Sequence, residues 1–369
     1  METLCSLGRD LVRNKKTIDK QRRILNKIKE NRRKNNSVQS LPRNNKSPTY
    51  NIKKVANNLS NNNSLKNIKN NIVFKKNSVN KKINFIMTGI YYSNVVETMM
   101  KPIVKHLKEY ETSNITKDNC INVHFFNEHS HLKNTGLNGI NVMIPHGLAD
   151  KAWRNATKEN QFDYVTASSD LWKDILVQRG IKSNKIIVCG YPKIDLFYDI
   201  EKKENNKKTV LWCPTHNTNL KNLNCTSSNP GFRKFIKSIP DKYNFIEHVH
   251  PYNHTEHNAT CEDLVNSDVI ISDFSSMIYE GIIIGKPVIF PDWIVKNVIL
   301  SHYKNTVEGK MYIENIGLHA NDIDELLIHI ENAIKDGLDQ KTKDFAEQIL
   351  PTKFRGKSGK YIAEFLMSI

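Results

Sequence analysis

The stretch from Asp268 to Pro291, DVIISDFSSMIYEGIIIGKPVIFP, reads as a strand running through a turn into a helix and back into a strand. DVIIS and GKPVIF are short β-branched runs, and Asp273 to Lys286 is long enough for a right-handed helical crossover between parallel strands. Ser275 and Ser276 then fall at the helix N-terminus, where unpaired backbone N–H groups and the positive end of the helix dipole attract anions. Two hydroxyls there add donors without adding a charge that must be desolvated. Glu280 lies about one turn further along the same side, where a carboxylate can accept from ribose hydroxyls. Ser275 can equally be read as an N-cap and nothing more.

At 369 residues the chain has room for two domains. Its net charge of +17 is unevenly placed: residues 1–80 hold 20 Lys and Arg against 4 Asp and Glu, and the remainder 35 against 34. The basicity belongs to a tail, and a neutral body lacks the broad positive face of a nucleic-acid enzyme. Six cysteines without C-x-x-C spacing point to a reducing compartment and to no zinc. The sequence shows neither a run of apolar residues long enough to cross a bilayer nor the apolar core of a secretory signal. The expectation is a cytoplasmic protein, with peripheral attachment to the cytosolic membrane face as its variant.

Residues 1–80 are expected to be a basic amphipathic helix followed by an Asn/Lys-rich disordered linker, since 31–80 include 16 Asn and almost no aromatics. Such a helix can lie on an anionic membrane, pair with a partner helix or cover phosphates. From about Lys82 strands and helices alternate: INFIMTG, CINVHFF, NVMIPH, DYVTAS and KIIVCGYP read as strands, then TVLWCPT, NFIEHVHP and the opening motif. This predicts an α/β protein of two facing doubly wound parallel sheets. The expected domains are 81–200, 201–340 and a final helix, 341–369, crossing back to the first.

In open parallel sheets ligand groups sit beyond the carboxyl ends of the strands. Placing the polar residues by that rule collects His146 and Gly147, then Gly190, Pro192 and Asp195, Pro214 and Thr215, His250 and Pro251, and Ser275 with Ser276. His146 is the natural general base, because imidazole titrates near neutral pH, and Gly147 beside it permits close approach. A protonated His250 could neutralise phosphate, whereas His248 faces the other side of its strand and reads as structural. Lys151 could screen a phosphate or be simply exposed, and Asp195 is expected to tie down its own loop. The DID of Asp322 to Asp324 resembles a metal-binding acidic pair, but Asp322 is better read as a helix cap, so no metal site and no cofactor is expected. There is no Walker loop and no G-x-G-x-x-G.

These residues resemble the CDP-glycerol glycerophosphotransferases, the primases and polymerases of teichoic acid, whose fold is GT-B: two facing Rossmann-like domains. His-Gly-x-x-x-Lys of that family looks like HGLADK, which implies His146 as catalytic base with Lys151 its companion. Gly-x-Pro-Arg-x-Asp resembles GYPKID, with Lys193 in place of Arg. The Pro-Thr pair resembles Pro214 and Thr215, followed here by His216 and Asn217 instead of an aromatic and Arg. Asp-Tyr-Ser-Ser-x-x-x-Asp is similar to DFSSMIYE, with Glu280 in place of Asp. A lysine cannot reproduce the bidentate grip of a guanidinium, so Lys193 and His216 could alter the pocket.

The resemblance implies a transferase moving glycerol phosphate, or a related polyol phosphate, from CDP-glycerol or another nucleotide-diphosphate donor to a hydroxyl acceptor, with CMP leaving. Ser275, Ser276, Thr215 and His250 would hold the diphosphate, Glu280 and Pro214 the ribose and nucleotide, and Gly147, Gly190, Asp195 and Asp273 would support the loops. The basic tail suggests a lipid-linked acceptor at an anionic membrane. Two other readings stand beside it: a GT-B glycosyltransferase using a nucleotide sugar, and a non-enzymatic nucleic-acid-binding protein acting through its tail.

Overall fold

The parallel order of the strands follows from chain segments that bury both faces. TVLW (Thr209–Trp212) and VIFP (Val288–Pro291) are buried at every position, as expected of strands covered by helices on two sides. The computed structural model describes residues 81–87, 93–126, 129–150, 156–216, 226–249 and 260–369. The tail expected over residues 1–80 lies outside them.

The first sheet contains β1 (Lys82–Ile86), β2 (Glu111–Ser113), β3 (Cys120–His124), β4 (Ile140–Met143), β5 (Tyr164–Ala167) and β6 (Ile186–Val188), in the order β2-β1-β3-β4-β5-β6. All its pairings are parallel. The second contains β7 (Thr209–Trp212), β8 (Asn244–Glu247), β9 (Val269–Ile271), β10 (Val288–Pro291) and β11 (Leu318–Ala320), in the order β11-β10-β9-β7-β8, again all parallel. Strand order reverses between β1 and β3 and between β7 and β9. In open parallel sheets such reversals favour ligand sites beyond the carboxyl ends of the strands.

Helices α1 (Ser93–Val104), α2 (His129–Thr135), α3 (Asp170–Gln178) and α4 (Lys193–Tyr198) belong to the first sheet's connections. The second has α5 (Cys261–Asn266), α6 (Ser276–Ile283), α7 (Asp292–Tyr303), α8 (Val307–Glu314) and α9 (Ile323–Asp336). An apolar core runs through both, with Phe125, Val142 and Trp172 of the first lobe continuous with Tyr279, Ile282 and Phe290 of the second, and another cluster, around Trp212, Phe232 and Leu326, lies within the second lobe. Short β2 and β11 escape a reading by hydrophobic runs, since ETS and LHA contain too little apolar sequence.

The single final helix expected over 341–369 is instead two, α10 (Gln340–Ile349) and α11 (Ser358–Ser368). Pro351 lacks the N–H that would continue α10, and Gly356 at φ +69° turns the chain. α10 packs against both α3 and α6, and α11 packs against α1 and α4.

The GYPKID segment receives α11. Asp195 accepts the backbone N–H groups of Ser358 (3.1 Å) and Gly359 (2.7 Å), two of the donors at that helix's N-terminus. Asp195 therefore holds the last helix as well as its own loop. Burial pushes its carboxyl up to about 6, against the pull of those two hydrogen bonds. Gly190 sits beside it at φ +93°, and a methyl there would lie 2.3 Å from Ser358 Oγ and 3.0 Å from Phe354 Cβ.

Two outcomes are expected. Gly190→Ala combines left-handed strain with a steric clash and should cost about 2–4 kcal/mol, measured by urea unfolding. Because the raised Asp195 pKa favours the protonated carboxyl in the folded protein, its contribution is present below the unfolded value of about 4 and is lost as pH rises through about 6. The parent should thus lose stability relative to Asp195→Asn across that window in pH-dependent unfolding curves.

Candidate active site at the junction of the two sheets

The second-lobe half of the site grows from the β7–β9 ladder. Pairing of Trp212 with Ile271 continues one residue further, where the Cys213 N–H donates to Ile271 O and Ser272 Oγ donates to Cys213 O. That register brings Pro214 and Thr215 beside Asp273. The fully buried Asp273 accepts from the N–H groups of Thr215 (2.8 Å), Ser228 (2.5 Å) and Phe274 (2.5 Å) and from Ser228 Oγ (2.8 Å). Burial raises its carboxyl pKa, while those hydrogen bonds pull it down. Tyr312 Oη donates to its carbonyl at 2.8 Å. Asp273 is thus the post to which the segments at Thr215, Ser228 and Phe274 are tied. Thr215 is buried, with Ser227 Oγ donating to its carbonyl.

Ser275 is the N-cap of α6: its hydroxyl oxygen accepts from Met277 N–H at 3.3 Å. Its own O–H remains a donor, so capping and anion binding are compatible at this residue. Ser276 is the first residue of the helix and is partly exposed.

The first-lobe half follows β3 and β4. His146 is exposed, its Nδ1 lies 2.8 Å from Phe125 O, and its ring stacks on Phe126 at 4.4 Å between centroids. A carbonyl oxygen only accepts, so Nδ1 carries the proton and in the neutral ring Nε2 is the basic nitrogen. Gly147 faces the second lobe directly: a methyl built on it would lie 3.8 Å from Ser276 Cβ and 3.9 Å from Ser276 Oγ. The residue beside the imidazole and the first residue of α6 are therefore neighbours.

Glu280 does not fit the ribose role expected of it. It is 0% exposed, and both carboxylate oxygens accept from Lys193 Nζ, at 2.9 and 2.7 Å. Tyr191 Oη lies 3.3 Å from Glu280 Oε1 and 2.9 Å from the carbonyl oxygen of His146. A fully buried carboxylate paired with the partly exposed Lys193 has no lone pair turned toward solvent for a sugar hydroxyl. Lys193 and Glu280, two positions where the chain departs from the motifs it resembles, are each other's partners.

A second charged junction was not anticipated. The buried Asp150, inside HGLADK, accepts from Arg179 at 3.2 and 2.9 Å and from Val307 N–H at 3.0 Å, at the start of α8. Its own N–H donates to Glu308 Oε1 at 2.7 Å. The one available signal was a carboxylate within four residues of His146 in an otherwise apolar segment, GLAD. Lys151 and His250 lie outside the described residues. His248 Nδ1 is 3.1 Å from Asp263, in keeping with a structural role, and Asp322 caps α9 by accepting from Glu325 N–H at 2.8 Å. Among the described residues no helix is long and apolar enough to cross a membrane, and no cluster of three or more metal-ligating side chains occurs.

Similar proteins agree with this architecture. The model of the family described as CDP-Glycerol:Poly(glycerophosphate) glycerophosphotransferase matches residues 43–296. A teichoic acid poly(ribitol-phosphate) polymerase of Bacillus spizizenii is 25% identical over 44% of this chain and 31% of its own. A teichoic acid glycerol-phosphate primase of Bacillus subtilis is 24% identical over 41% of this chain and 46% of its own. The matched regions thus span less than half the length of either relative. Among solved structures, a variant of the wall teichoic acid polymerase TagF superposes with a TM-score of 0.57 at 16% identity, covering 78% of this chain and 88% of that one. A second TagF structure, soaked with CDPG, superposes with a TM-score of 0.54 at 17% identity, over 78% of this chain and 88% of that one. The fold is GT-B, and the extent of the family match places this chain in the CDP-glycerol:poly(glycerophosphate) glycerophosphotransferase family.

Proposed function

We propose that the protein transfers a polyol phosphate, glycerol phosphate in the first instance, from a CDP-linked donor to an acceptor hydroxyl in the synthesis of a teichoic-acid-like polymer. The observation that carries the reading is the contact of Gly147 with Ser276, which sets an oriented imidazole beside a helix N-terminus. Family membership supports the donor class, and the soaked TagF structure is consistent with it. Residues 81–200 would act as the acceptor domain and 201–340 as the donor domain.

In this reaction the donor diphosphate lies against the start of α6. There the positive end of the helix dipole and the hydroxyls of Ser275 and Ser276 offset its charge without a desolvated cation. His250 would add a donor, and Lys151 would screen the acceptor side. The acceptor O–H enters beside His146, Nε2 takes its proton, and the oxygen attacks the distal phosphorus. The bond from that phosphorus to the bridging oxygen breaks, and CMP leaves with the electron pair. Charge building on the CMP phosphate is met by the helix N-terminus, so catalysis rests on positioning and electrostatics. The 20 basic side chains in residues 1–80 support an acceptor held at an anionic lipid surface.

CMP release, measured with CDP-glycerol, CDP-ribitol and UDP- or GDP-sugars on the full chain, tests the assignment. Turnover of a sugar nucleotide and of no CDP-polyol would replace it with glycosyl transfer. His146→Ala should lower turnover on the order of 10²–10⁴-fold while donor affinity by calorimetry stays near the parent's. Ser276→Ala should act mainly on the donor, raising its KM about 3–30-fold, the loss of one charge-assisted hydrogen bond. An unchanged KM would remove Ser276 from the phosphate cradle.

A further inference from the structure

The two lobes meet through surfaces of different kinds. The ring of Tyr279 makes an apolar contact: it is 6.0 Å from Trp172 and 6.3 Å from Phe345, and α10 packs on both α3 and α6. Apolar burial is non-directional and tolerates small sliding movements. One turn along α6 from Ser276, the contact is polar and has discrete geometry. Glu280 receives both Lys193 hydrogen bonds, and Tyr191 Oη lies between Glu280 and the main chain of His146.

The chemistry of that cluster constrains it further. Tyr191 has one hydroxyl proton, and both neighbours, the His146 carbonyl and the Glu280 carboxylate, only accept. A single O–H is therefore shared between the backbone of the imidazole-bearing residue and the helix that bears Ser276. Burial, together with the charge of Glu280, raises the Tyr191 pKa well above the ordinary tyrosine range and keeps the hydroxyl a donor. Burial works to discharge Lys193, but Glu280 more than offsets it and the ammonium pKa is raised. A buried ion pair contributes little net stability over a well-packed apolar pair, whereas removing one partner strands a charge. Its geometry is thus the more informative property.

We propose that Tyr191, Lys193 and Glu280 form a positioning device that sets the distance between the His146 imidazole and the N-terminus of α6. The consequence for turnover rests on the function proposed above, whereas the geometric claim does not. Glu280 and Ser276 are four residues apart on one helix face, so any shift of α6 against the first lobe is felt at Glu280. Lys193 and Tyr191 come from the segment that also receives α11 through Gly190 and Asp195, which gives the device a rigid base.

Tyr191→Phe removes one oxygen and keeps the ring in place. It should lower kcat about tenfold, with donor KM within about twofold of the parent and a thermal midpoint within about 2 °C. Lys193→Arg and Glu280→Asp each change the reach of the pair and should each lower kcat. Together they exchange length between the partners and should return kcat to within about threefold of the parent. A parent-like kcat in Tyr191→Phe would overturn the proposal. So would a raised donor KM at constant kcat in Lys193→Met, which would make the lysine a ligand of the donor.

A readout without donor separates this inference from the chemistry. Imidazole ¹⁵N NMR of the full chain, with the His146 signals identified by their loss in His146→Ala, should show the Nδ1–H tautomer in the parent. A mixture is expected in Tyr191→Phe, as the His146 main chain shifts and the bond to Phe125 loosens. Identical spectra would sink the positioning role even in a protein that transfers polyol phosphate. A changed spectrum in a protein that transfers nothing would uphold the positioning role and discard only the reaction.

Discussion

The structure depends on one carboxylate that has no access to water. Glu280 is buried on α6, and its charge is tolerable only because Lys193 reaches it with two hydrogen bonds and Tyr191 stands beside it. That requirement ties three segments together: the helix carrying Ser276, the GYPKID turn and the His146 loop. The separation between the imidazole and the helix N-terminus is thereby specified by hydrogen-bond geometry, to a precision that apolar packing alone would not supply. Chemistry that works by placement and electrostatics needs that kind of specification.

Other buried carboxylates repeat the principle elsewhere in the fold. Asp150 joins the His146 loop to Arg179 and to the start of α8, and Asp273 gathers the loops after β7 and β9 with Ser228. Asp195 receives α11. Each carboxylate is satisfied mainly by backbone N–H groups or a single cation, and each joins segments distant in sequence. The apolar core continuous through both lobes supplies the cohesion, and these few carboxylates define the register.

The alternation of β-branched runs with helical segments was enough to read two parallel sheets. Burial on both faces of a strand leaves an unbroken apolar run, and TVLW or DVIIS can satisfy few other environments. The site's outline was legible for a related reason: strand ends in open parallel sheets present their next residues to one crevice, so His146, Gly147 and Ser276 could be placed from their positions after strands. Ser275 proved to be a cap, as one reading allowed, and its remaining O–H leaves the anion reading intact. The single last helix expected from the sequence is split, because Pro351 removes the donor a helix needs there.

Sequence by itself determined the local elements, the basic tail and the residue types suited to phosphate chemistry, since these follow from periodicity, composition and the chemistry of single side chains. Only the tertiary structure decided what each charged residue faces. Glu280 looked like a ribose ligand one turn beyond two serines, yet Lys193, 87 positions earlier in the chain, occupies it. Asp150, within HGLADK, accepts from the start of a helix 157 positions away. A carboxylate has the same formula whether it binds a sugar hydroxyl or a lysine ammonium. Which one it meets is set by burial, a property of the packed chain and not of its neighbours in sequence.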